Sequence, residues 1–139
     1  MPVAISESEH SDDDLIAAAR VARDFAQAAY SGFKVGAALE VADGTIVSGC
    51  NIENATYGLT LCAERVALVK ALSEGHASFT RIAVVADTSD PTPPCGPCRQ
   101  LLWEYCGDIA VVLANLERTT GRYTLRALLP LPFDRRLLK

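Results

Sequence analysis

The chain reads as an α/β domain of three layers, α/β/α, built on a mixed sheet of about five strands. Three observations predict this. Ile82-Ala83-Val84-Val85-Ala86 and Ile109–Ala114 are continuous apolar runs, the pattern of strands covered on both faces. Asp43-Gly44 falls between two strand-like segments and predicts a hairpin, which places an antiparallel pair in the same sheet. Helical patterns alternate with these strands in the order α-β-β-α-β-α-β, followed by a short C-terminal element, and helices on both faces of the sheet follow from that alternation.

Each element has its own signals. Ser11-Asp12-Asp13-Asp14 has the spacing of a capping box and opens a helix through about Ala29, with Leu15, Ala18, Ala22, Phe25 and Ala29 on its apolar face. Gly32 closes that region. Val35–Val41 reads as a strand, and Thr45–Cys50 returns antiparallel after the hairpin. Thr60 is placed to cap a second helix, Cys62–Ser73, which Gly75 ends. That helix is apolar almost all round and is expected to be largely buried. Arg81–Ala86 is the third strand. Pro91–Pro94 forms a loop into a third helix from about Pro97 to Cys106, with Gly107 as its stop. Ile109–Ala114 is the fourth strand, Thr119-Thr120-Gly121 a turn, Tyr123 the start of a last short strand, and Leu125–Leu129 a last helical turn.

With 139 residues, half of them hydrophobic, the chain suits one domain with a sizeable core. Residues 11–139 are expected to form that single domain, behind a flexible acidic N-terminal tail over 1–10. No apolar run approaches the ~20 residues of a membrane span, which argues against a membrane partner. The first residues are polar and acidic, unlike a signal peptide, and an odd count of five cysteines suits a reducing, cytoplasmic compartment in which cysteine clusters serve metals or catalysis. A formal charge of −4 argues against nucleic acid as partner and favours a small-molecule substrate.

Cys62-Ala63-Glu64 and Pro94-Cys95-Gly96-Pro97-Cys98 carry the chemistry. Structural zinc sites usually close with four Cys or His ligands, whereas catalytic sites use three and keep a position for water. Cys62, Cys95 and Cys98 therefore read as the ligands of one zinc ion, each near a helix start where a thiol's pKa falls. A lone Cys-x-x-Cys is equally a redox pair or half of a structural zinc site, but Glu64 beside the first cysteine has no use in either. Glu64 is the catalytic candidate, a carboxylate able to move protons between water and a leaving group. Arg65 is placed to offset the excess negative charge of three thiolates. Cys50 and Cys106 compete only weakly as a fourth ligand, and His10 and His76 are expected to be solvated.

Over most of its length the chain resembles the small, homotetrameric, Cys₃-zinc cytidine deaminases of pyrimidine nucleoside salvage. The resemblance rests on Tyr30–Ala38, Gly49-Cys50-Asn51-Ile52-Glu53-Asn54-Ala55, Cys62-Ala63-Glu64-Arg65, Pro94–Gln100, and Leu128-Leu129-Pro130 with Phe133, all in the family's order and spacing. It implies a cytidine-deaminase-like fold, one Zn²⁺ per subunit, and hydrolysis of cytidine and deoxycytidine to uridine or deoxyuridine and ammonia. It implies that Asn51 and Glu53 bind the 3′-hydroxyl of the sugar, that Phe33 packs on the pyrimidine, and that Ala63 lies at the substrate. It also implies that Tyr57 and Phe133 reach a neighbouring subunit's site in a homotetramer. Pro93 and Pro97 depart from the family, which commonly has a small hydroxylic residue and Ala there. The alternatives are a deaminase of another aminated nucleoside or heterocycle (blasticidin-type), a non-catalytic zinc module, and a redox protein.

Overall fold

The structure, a computed structural model, describes residues 10–138. The tail expected over 1–10 lies, for residues 1–9, outside the described residues. His10 is half-buried rather than solvated, with its ring Nε2 2.8 Å from the Gly44 carbonyl oxygen.

One five-stranded mixed sheet runs in the order β2-β1-β3-β4-β5, formed by β1 (Val35–Val41), β2 (Ile46–Cys50), β3 (Phe79–Ala86), β4 (Ala110–Ala114) and β5 (Thr119–Thr124). Only β3 and β4 are parallel; β1 pairs antiparallel with both β2 and β3, and β4 with β5. The alternation of strand side chains divides the core into two layers. Ala38, Ala83, Val85, Val112 and Ala114 pack against Leu15, Ile16 and Ala19 of α1 (Asp12–Arg23). Ala37, Leu39, Ile82, Val84, Val111 and Leu113 face α2 (Ala63–Ser73) and α3 (Gly96–Cys106). This is the expected three-layer α/β/α arrangement. A short α4 (Leu125–Leu128) and two 3₁₀ turns, Tyr57–Leu59 and Arg135–Leu137, complete it.

α1 begins as its residues dictate, since both halves of the Ser11–Asp14 capping box form. It ends at Arg23, well before the expected Ala29. The reason is tertiary: Gln27 donates its N–H to the Asn51 carbonyl (2.9 Å) and accepts from the Glu53 N–H (2.8 Å), which pulls the backbone out of helical geometry. Thr60 does not cap α2. Cys62 is the N-cap residue, in extended geometry, and Thr60 instead closes the preceding 3₁₀ turn. α2 buries one face, Ala63, Glu64, Ala67, Leu68 and Ala71, while Val69 stays exposed. Its small residues let it lie close on β2 at Gly49, where a Cβ would stand 2.6 Å from the Ala67 backbone nitrogen. Thr119–Gly121 is strand rather than turn. The turn falls earlier, where the Asn115 side chain accepts from the Glu117 and Arg118 N–H groups, both at 2.8 Å.

The register of β1 sets Val35 opposite Ala86 and Gly36 opposite Cys50. One end of the sheet therefore gathers the start of β1, the end of β2 and the end of β3.

Candidate active site

Two helix N-termini meet at that end of the sheet. Cys62 is the N-cap of α2 and Cys95 the N-cap of α3, both with extended backbone, and neither side chain is spent on capping its helix. Pro97, in the first turn of α3, has no N–H to satisfy there. Cys98 follows in the same turn and is almost fully buried. The three sulfurs all lie within 4.8 Å of one another, and Cys62 Sγ stands 3.7 Å from Cys95 Sγ. Two thiolates bonded tetrahedrally to Zn²⁺ at about 2.3 Å are about 3.8 Å apart, so the donor set and its spacing fit zinc. The Cys62 thiol is brought down to about 6, first by the hydrogen bond from Cys98 and then, against an opposing effect of burial, by Cys95 and the charge of Arg65. Cys98, the donor in that pair and buried, is pushed up. Cys50 and Cys106 lie outside the cluster, and burial pushes the Cys106 thiol up to about 12, which disfavours it as a ligand.

Glu64 follows Cys62 by two positions and is 5 % exposed. Burial raises its carboxyl to about 7, with the negative charge of Cys62 adding to the shift. A carboxyl in that range both takes and gives protons near neutrality. It opens on a cavity of about 200 Å³ that also includes Phe33, Val35, Asn51, Ala63, Cys62 and Cys95. That volume lies below the roughly 300–1,000 Å³ of pockets for drug-sized ligands, which suits a small heterocycle. Sequence reasoning missed Thr60, Leu61, Val84, Thr92 and Pro93 in the wall of the cavity. Leu61 and Pro93 directly precede the two metal motifs, and that adjacency was the available signal.

The 51–53 segment holds the 30–35 loop. Asn51 Nδ2 donates to the Phe33 carbonyl (2.8 Å) and Asn51 Oδ1 accepts from the Val35 N–H (2.9 Å). Glu53 accepts from the Tyr30 and Ser31 N–H groups, both at 3.0 Å, and from the Ser31 hydroxyl. The Ser31 hydroxyl and N–H hold the Glu53 carboxyl below its ordinary range. Glu53 and Tyr57 line a second hollow of about 240 Å³ that shares Thr60 with the first. There Tyr57 meets Tyr30 edge to face at 6.1 Å. Arg65 keeps a buried Nε without a partner among the described residues. Phe133 is 58 % exposed and lines neither hollow.

Residues 9–114 match the family model described as the cytidine and deoxycytidylate deaminase zinc-binding region. The chain belongs to this deaminase family. It is similar to the cytidine deaminase of Halalkalibacterium halodurans, 54% identical over 117 residues that cover 84% of this chain and 89% of the relative. The cytidine deaminase of Sporosarcina psychrophila is 50% identical over 124 residues, 88% of this chain and 91% of its own. The crystal structure of cytidine deaminase from Burkholderia pseudomallei superposes with a TM-score of 0.85 at 47% identity, covering 89% of this chain and all of that one. The blasticidin-S deaminase of Bacillus cereus is more distant, 34% identical over 73% of this chain. The blasticidin-type alternative is thus the weaker one within the family.

Proposed function

We propose that this chain hydrolyses cytidine, and deoxycytidine, to uridine or deoxyuridine and ammonia. The convergence of Cys62, Cys95 and Cys98 beside the buried carboxyl of Glu64, in a chain of the deaminase family, carries the reading. Zinc is the cofactor, one per subunit, with the three cysteines as its ligands. When bound, it supplies a Lewis acid that makes water nucleophilic at neutral pH.

The remaining chemistry belongs to this chain's side chains. Glu64 takes one proton from the attacking water and passes it to N3 of the pyrimidine, then takes the remaining proton of that hydroxyl and delivers it to the departing amine, so that cytidine and water leave as uridine and ammonia. Leu61, Val84 and Pro93 line the cavity beside that carboxyl, which is itself almost fully buried. Phe33 packs on the pyrimidine, and Ala63, fully buried at the first turn of α2, leaves the ring room beside Glu64. Asn51 and Glu53 bind the sugar hydroxyl. The Asn51 amide retains one N–H and one oxygen lone pair beyond those it spends on the 30–35 loop. Glu53, kept ionised by Ser31, remains an acceptor. This remote binding sets the reacting carbon against the site. Arg65 offsets the negative charge of the three thiolates, and its unpartnered buried Nε is a donor available for that purpose.

We read the active protein as a homotetramer with sites shared between subunits, in which Tyr57 and Phe133 contribute to a neighbour's site. The exposure of Phe25, Tyr57, Leu59 and Phe133 supports this, since apolar surface of that extent favours association. Residues 11–139 form the catalytic domain. None of the described helices is long and apolar enough to cross a membrane. A cytoplasmic place in pyrimidine salvage is supported by five free cysteines, which a reducing compartment preserves. The test is product formation from cytidine by the purified, zinc-loaded protein. Uridine and ammonia in equal amounts are expected, and their absence from folded, zinc-loaded protein contradicts the assignment.

A further inference from the structure

Between α4 and the last 3₁₀ turn the chain has no regular structure, and Phe133 lies on this segment with most of its side chain in solvent. An aromatic on such a segment ordinarily samples many positions and loses that freedom each time it engages a ligand. Here one helix holds the segment at several points. Gln100 Nε2 donates to the Phe133 carbonyl at 2.7 Å, and Trp103 Nε1 donates to Asp134 Oδ2 at 2.9 Å. Upstream, Arg99 Nη1 donates to the Leu128 carbonyl at 2.7 Å, while Arg99 Nε donates to the Pro94 carbonyl of the metal loop at the same distance. The Arg126 guanidinium lies 4.9 Å from the Trp103 ring centroid and fixes the indole. Asp134 also caps the turn that follows, accepting from the Arg136 N–H (3.0 Å) and Nε (2.8 Å). Arg136 first, and then the indole N–H, hold the Asp134 carboxyl down to about 2, so the acceptor stays charged at all working pH values.

α3 therefore carries Cys95 and Cys98 at its start and, within its next two turns, holds the Phe133 carbonyl through Gln100 and the Asp134 carboxylate through Trp103. We propose that Trp103 and Asp134 are positioning residues that clasp the C-terminal segment to α3 and present the Phe133 ring in one place to the substrate site it completes. The inference rests on the reading of Phe133 as a residue that contacts the base. It adds that the ring is ordered in advance by this clasp.

Trp103→Phe keeps an aromatic side chain but loses the five-membered half of the indole with its N–H donor, so Tm is read alongside to separate lost packing from the lost clasp. Steady-state kinetics on cytidine are measured for wild type, Trp103→Phe, Phe133→Ala and the double variant, with zinc content and Tm alongside. The expected result is a KM raised about three- to tenfold by Trp103→Phe with kcat and zinc unchanged, and no further rise when the change is made on Phe133→Ala. An equal rise in both backgrounds means that Trp103 does not act through Phe133 and overturns the clasp. A wild-type KM for Trp103→Phe, with KM raised by Phe133→Ala, also overturns the clasp and leaves the role of Phe133 standing. A wild-type KM for Phe133→Ala overturns the role of Phe133 and the clasp with it.

Discussion

Glu40, one residue before the end of β1, has no solvent exposure, and Arg81 on the neighbouring strand holds it through Nε (2.8 Å) and Nη2 (2.7 Å). Thr80 adds a hydroxyl donor at 2.6 Å, and Arg81 reaches on to Asp12 at the start of α1 at 2.7 Å. Burial alone raises the Glu40 carboxyl, but these donors outweigh it and leave the pKa below 4.5. A depressed carboxylate contributes stability that is present above its unfolded pKa and is lost as pH falls through the folded value. Wild type should therefore lose Tm below about pH 4.5, with this group contributing nothing to the slope above it. Arg81→Met leaves a buried, unpaired carboxylate, costs about 3–5 kcal/mol at neutral pH, and turns the Glu40 shift upward. The variant should then gain Tm relative to wild type as pH falls from 7 to 5. A variant whose Tm falls with, or faster than, that of wild type over that interval contradicts this reading of Glu40. The pair was not legible in the sequence, because its partners are 41 positions apart and only strand register makes them neighbours. Cys62, Glu64, Cys95 and Cys98 were legible because their spacing within two short motifs already implies a shared site. Asn51 and Glu53 were readable only through the family, since their bonds to the 30–35 loop depend on how two distant segments meet.

At the level of elements, the site depends on how closely α2 approaches β2. Gly49 makes that approach possible, since an added Cβ would stand 2.6 Å from the Ala67 nitrogen and 2.8 Å from the Ala63 carbonyl oxygen, both backbone atoms of α2. Neither can swing aside as a side-chain tip would, so Gly49→Ala must displace the helix that begins with Cys62 and Glu64. The expected cost is about 1–3 kcal/mol, measured by denaturant unfolding, together with a fall in kcat. Unchanged stability and turnover would show that the contact is not tight. The boundaries that sequence reasoning misjudged have the same kind of origin. α1 stops where Gln27 is recruited by Asn51 and Glu53, and Thr119–Thr124 is drawn into a strand by pairing with β4. Elements whose local signals were strong, such as β1 and the Gly107 end of α3, stand where those signals put them.

Across the whole molecule, the strand order β2-β1-β3-β4-β5 brings two helix starts to one end of the sheet and makes a single-subunit cavity open to solvent. The class of the fold was legible from the alternation of elements; the strand order was not, because pairing β1 with β3 is a long-range choice. If Phe133 of one subunit completes another's site, mixed oligomers of Glu64→Gln and Phe133→Ala subunits contain some sites with both wild-type residues. At cytidine concentrations well below the variant KM, the mixture should exceed the mean activity of its two parents after subunit exchange, and activity equal to that mean contradicts a shared site. The central claim, that Glu64 moves the protons of a zinc-dependent deamination, is tested most directly by ammonia release and zinc content measured together for wild type and Glu64→Gln. Both proteins should retain one zinc ion per subunit, and the variant should lose ammonia release from cytidine at least 10²-fold. A variant that retains zinc and deaminates cytidine at the wild-type rate would contradict that claim.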